Sequence, residues 1–122
     1  MAAARRGLIL LLALAACGEP LDEREPLTGG SPRAGRELIR QYGCGSCHSI
    51  PGVPGANAAV GPPLEKLKSR VYIAGRFTNT PANLERWIRE PRALDPKSAM
   101  PTLGLDEAAA RDIAAYLYAE TQ

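Results

Sequence analysis

Cys44-Gly45-Ser46-Cys47-His48 is the sharpest chemical feature of this 122-residue chain. Two thiols one short loop apart can each add to a vinyl group of a single porphyrin, and the histidine that follows is aimed at the iron. The spacing therefore predicts one covalently attached c-type haem, held by Cys44 and Cys47 with His48 as an axial ligand. Three other chemistries compete for the same residues. A thioredoxin-like redox pair needs a βαβ pattern around the cysteines, and none is visible. A structural zinc ion needs four ligands, where this cluster offers three. A plain Cys44–Cys47 disulfide would leave His48 without a purpose.

His48 is the only histidine, so a bis-histidine iron within one subunit is impossible. A sixth ligand would have to come from Met, Lys, Tyr or an amine. Met100 is the only methionine besides Met1, and it stands in a stiff segment, Pro96-Lys97-Ser98-Ala99-Met100-Pro101. Proline on both sides limits the backbone there. A lone methionine is often a core filler. In a turn-rich stretch far along the chain from His48, it is the candidate for the opposite axial position, since a Met/His pair is a known cytochrome arrangement that raises the potential.

The elements that must position these groups read as helices. Ser31-Pro32 places a hydroxyl cap and a proline at a helix start, with Leu38, Ile39 and Tyr42 on one face and Gly35 keeping the first turn slim. That pattern stops at Gly43, one residue before the motif. Thr80-Pro81 opens another helix, carrying Leu84, Trp87 and Ile88 inward until Pro91. A last one begins at Leu105-Asp106-Glu107 with an acidic cap, and repeats Ala109, Ile113, Tyr116 and Leu117 at helical spacing. Residues 50–63 are rich in Pro, Gly, Ala and Asn and read as loop. No alternating strand pattern of useful length appears, so the expectation is all-α.

Ahead of that domain lie two segments of different character. Arg5 and Arg6 precede an apolar run, Leu8–Ala16, too short to span a bilayer, which predicts a signal peptide over 1–16. Its end, Leu14-Ala15-Ala16-Cys17, resembles the lipobox of bacterial lipoproteins, and the resemblance implies cleavage before Cys17 and acylation of that residue. Residues 18–30 hold four acidic residues against Arg24, with two prolines and a Gly29-Gly30 pair. Together, 17–30 read as a lipidated cysteine and a flexible linker, leaving 31–122 as the folded domain. The protein is then expected to be exported and anchored on the periplasmic or extracytoplasmic side of a bacterial membrane.

From Ser31 to Gln122 the chain resembles the class I cytochromes c. The motif Cys44, Cys47 and His48, the Met100 loop, Gly35 with Leu38 and Ile39, and Asp112-Ile113-Ala114-Ala115-Tyr116-Leu117 carry the likeness. It implies N- and C-terminal helices that cross, with a third helix and long loops wrapped around the haem. Gly61-Pro62-Pro63-Leu64 matches the segment whose proline carbonyl, here Pro62, accepts the proximal histidine N–H. Leu64 belongs to the same haem surroundings. Trp87 matches a family aromatic near a haem propionate, with simple core packing as the other reading. Arg70, Tyr72 and Arg76 are further candidates for propionate contact.

With both axial positions filled, the iron has no place for substrate, which predicts a one-electron carrier and not an enzyme. Its expected partners are the membrane and redox proteins such as a quinol-oxidising complex, a terminal oxidase or a dehydrogenase. A haem-based small-ligand binder or sensor, in which Met100 is displaced, is the alternative, and a peroxidase would want a second histidine. Fifteen basic against thirteen acidic residues are not the footprint of a nucleic-acid binder. Residues 31–122 alone carry twelve basic against nine acidic residues, and 61–100 eight against four. One Phe and one Trp make a poor core for a small domain, a shortage that a covalent haem would relieve.

Overall fold

The computed structural model describes residues 23–119. The predicted signal peptide, Cys17 and the first part of the linker lie outside the described residues.

Helix α1 (Pro32–Gln41) starts where the sequence places it: Ser31 Oγ accepts from Ala34 N at 3.2 Å, and Pro32 occupies the first turn. Its buried residues are Gly35 and Ile39. Helix α2 (Pro81–Arg89) is capped in the same way by Thr80 Oγ1, which accepts from Asn83 N at 3.2 Å. Pro91 ends α2 as expected and then opens a single further turn, α3 (Pro91–Leu94). Helix α4 (Glu107–Ala119) begins after Asp106, whose carboxylate accepts from Ala109 N at 2.8 Å.

Helix α4 is the hub of the fold. Its largest contact is with α1, and α2 packs on it as well. For this reason the run Ile113–Tyr118 is buried without a break, where a surface helix would show one apolar stripe. Small residues make the packing close. Ala110, Ala114 and Ala115 are fully buried, and Gly35 meets the α4 main chain at Asp112. The remaining core comes from α2 (Leu84, Ile88) and from the segments between the long helices (Ile50, Val53, Leu67, Ile73 and Leu105). The proline- and glycine-rich stretch 50–63 is thus irregular, as expected, yet it feeds the core. Tyr116 ties it to α4 by donating to the Pro51 carbonyl at 2.6 Å.

Two features depart from the sequence reading. The all-α expectation holds except for one small antiparallel hairpin, β1 (Tyr72–Ile73) with β2 (Phe77–Thr78), in which Ile73 pairs with Phe77. Its turn puts Ala74 and Gly75 at φ +50° and +71°, the twist that short hairpins favour. Second, residues 24–30, expected to be flexible linker, are built into the domain. Glu25 is only 4% exposed. Its carboxylate accepts from Leu27 N (3.0 Å) and Thr28 N (2.7 Å), and Lys68 Nζ stands 3.5 Å away. A charge so satisfied can be buried at a tolerable cost.

Candidate functional site

The end of α1 sets up the site. Gly43 adopts φ +69°, a left-handed conformation open to glycine at little cost. It turns the chain from the helix into a single 3-10 turn, Cys44–Ser46. Within it, Ser46 N donates to the Gly43 carbonyl, and both Cys47 N and His48 N donate to that of Cys44. Cys44 and Cys47 are half-buried and unpaired. Burial pushes the Cys44 thiol up, a backbone hydrogen bond opposes this, and the Cys47 charge adds to the rise. Among the described residues, no group of three or more His, Cys, Asp or Glu side chains converges to hold a bare metal ion.

His48 faces the segment that follows the loop. Its Nδ1 lies 2.7 Å from the Pro62 carbonyl oxygen. A carbonyl only accepts, so Nδ1 carries the proton and Nε2 presents its lone pair outward. Two main-chain bonds flank this contact: Gly61 N to the Cys47 carbonyl (2.7 Å) and Leu64 N to that of Ser49 (2.9 Å). Gly61 leaves room for the ring, since a Cβ there would stand 2.5 Å from His48 Cε1 and 2.8 Å from Nδ1. Imidazole orientation is therefore fixed from two sides.

The other predicted residues fall into distinct places. Arg70 donates to the carbonyls of Pro63 (2.6 Å) and Glu65 (2.8 Å), next to the His48 acceptor. Trp87 is half-buried on α2 and packs on Phe77 with ring centroids 5.8 Å apart. Arg76 lies over the other partner of that pair, 5.6 Å from the Phe77 centroid, and reaches Asp95 at 3.4 Å. Asp95 in turn organises the Met100 loop: its carboxylate accepts from Lys97 N and its carbonyl from Ser98 N, while Ser98 Oγ accepts from Met100 N. Met100 is half-buried. Tyr72 joins neither group and is 59% exposed. Phe77 and Asp95 escaped the sequence reading; only their place in the hairpin and after α3 marks them.

The residues present fit a covalent haem. Two unpaired thiols stand on one turn, the adjacent imidazole has a free Nε2, and Gly61 is the cradle that the ring needs. Leu38, Tyr42, Leu64, Phe77, Trp87 and Leu103 pack on the core but remain half-covered, the kind of surface that an apolar macrocycle would bury.

A family model described as Cytochrome c matches residues 32–119. Cytochrome c oxidase subunit 2 of Alkalihalophilus pseudofirmus is 36% identical to this chain over 67 residues, which are 55% of the chain and 19% of that relative. The matched stretch is thus about a fifth of the relative's length.

Proposed function

Because the chain belongs to the cytochrome c family, we propose that it is a monohaem one-electron carrier tethered to a membrane through Cys17. The observation that carries this reading is the His48–Pro62 hydrogen bond, which leaves Nε2 free beside two unpaired thiols. When bound, haem c supplies a one-electron Fe(III)/Fe(II) couple. Cys44 and Cys47 would hold it by thioether bonds, and His48 and Met100 would supply the iron's protein ligands. The thioether favours a relatively positive potential. No acid, base or nucleophile is required of the chain.

Similarity to a stretch of an oxidase subunit supports a place beside a terminal oxidase, with a quinol-oxidising complex or dehydrogenase as donor. Among the described residues no helix is long and apolar enough to cross a membrane; the reading of Cys17 as the anchor is supported by the lipobox-like Leu14-Ala15-Ala16-Cys17. With 24–30 docked on the domain, only residues 18–23 separate Cys17 from Arg24, a reach of about 25 Å at most. The domain would work close to the membrane surface.

Spectra of the holoprotein test the site. A ferric Met–iron charge-transfer band, lost in Met100→Ala together with a fall in potential, is the expected result. A high-spin ferrous form that binds carbon monoxide at once would instead indicate a ligand binder. Cys17→Ser should release the protein from membranes, and persistent association would locate the anchor elsewhere.

A further inference from the structure

Pro62 and Pro63 have no N–H, so the acceptor carbonyl of Pro62 sits in a dipeptide that the main chain cannot pin by its own amides. The nearest amide bonds are those of Gly61 and Leu64, on either side. Between them the contact is made by Arg70, one of whose terminal nitrogens donates to both the Pro63 carbonyl at 2.6 Å and the Glu65 carbonyl at 2.8 Å. Bonds from a charged donor are shorter and stronger than neutral ones. Among the described residues, Arg70 forms no ion pair with a protein carboxylate, and its guanidinium bonds are the two to the loop carbonyls.

Arg70 is itself held. Its N–H donates to the Leu67 carbonyl at 3.1 Å. Its carbonyl accepts from Asn79 Nδ2 at 2.8 Å, and the same Nδ2 donates to Leu67. Asn79 Oδ1 accepts from Tyr118 on α4 at 2.7 Å. A chain of hydrogen bonds thus runs from the central helix through Asn79 and Arg70 to the Pro62–Glu65 loop.

We propose that Arg70 is a positioning residue for His48: it holds the loop that presents the Pro62 carbonyl to the imidazole, and so sets how strongly Nδ1–H is engaged. The consequence for the iron rests on the reading of His48 as its ligand. A tighter Nδ1–H bond makes the imidazole a more basic ligand, so a looser one should raise the potential.

The test compares ferrous holoprotein carrying Arg70, Arg70→Lys and Arg70→Met by NMR and by potentiometry. In Arg70→Met, the His48 Nδ1–H should exchange with solvent at least about tenfold faster, since both hydrogen bonds from the charged guanidinium are lost. Core amides such as those of Ile39 and Leu117 should change much less. Arg70→Lys keeps the charge but not the reach or the planar fork, so its exchange should also quicken and its potential rise. The proposal is overturned if Nδ1–H and core amides accelerate by the same factor, which is global destabilisation. It is equally overturned if exchange is unchanged while the potential falls in Arg70→Met and stays put in Arg70→Lys, which is a charge effect alone. Failure of the ligand reading looks different: His48 ring signals of the unmodified protein would show no haem-induced shift. The exchange comparison would still decide the role of Arg70.

Discussion

Gly35 of α1 and Asp112 of α4 meet backbone to backbone: a Cβ at position 35 would collide with the Asp112 carbonyl oxygen and stand 2.5 Å from its carbonyl carbon. The contact is reinforced from the same residue, because the Asp112 carboxylate accepts from Ser31 N at 2.8 Å. One methyl group therefore has to push apart the two helices that share the largest interface. Gly35→Ala should cost about 1–3 kcal/mol or more, read as a lower melting temperature of the holoprotein. An unchanged melting curve would mean that the helices slide apart freely.

Gly61 does for His48 what Gly35 does for α4. Since a Cβ would sit 2.5 Å from His48 Cε1, Gly61→Ala must rotate the ring or move the loop, and either weakens the bond to Pro62. The expected outcome is a shifted potential and altered His48 ring resonances in a protein that still folds. A variant with both unchanged would show that the loop yields without disturbing the ligand.

How much of this was legible in advance follows from how local each signal is. The caps of α1 and α2 involve residues three apart, Ser31 with Ala34 and Thr80 with Asn83, so a short window reveals them. The Cys44–His48 turn is equally compact. Resemblance was needed to pair His48 with Pro62, fourteen residues on, because nothing about a proline announces its carbonyl. Glu25 was read as linker because acidic residues among prolines usually are; its partner Lys68 lies 43 residues away, beyond any local pattern. The hairpin has two residues per strand, too few to show alternation. Arg70 stands out in the sequence only as a candidate for propionate contact; its role in the loop was hidden, since its targets are main-chain carbonyls, which every sequence has.

Glu25 makes the docking of residues 24–30 testable. Glu25→Ala removes the acceptor for two backbone N–H groups and leaves Lys68 without its carboxylate. The loss should be about 0.5–1.5 kcal/mol per hydrogen bond, since the donors are only partly buried and water can replace part of the carboxylate's role. Hydrogen exchange at Leu27, Thr28 and Gly29 should quicken well before that of α1. Should these amides exchange at the original rate, the segment is held by something other than the carboxylate.

Tyr118 couples the same region to pH. Its hydroxyl donates to Asn79 Oδ1 at 2.7 Å, and burial, followed by the charges of Glu25 and Glu85, pushes its phenol above the ordinary value of 10. The unfolded chain then gives up this proton more readily than the folded one. The resulting stability is fully present below about pH 10 and is lost as pH rises through the folded value. Tyr118→Phe forfeits the hydrogen bond, so near pH 8 it should be less stable by about 0.5–1.5 kcal/mol. It also has no phenol to ionise, so the gap to the unmodified protein should narrow at about pH 11. Urea midpoints at the two pH values measure this directly. A gap of constant size would show that Tyr118 ionises alike in the folded and unfolded chains.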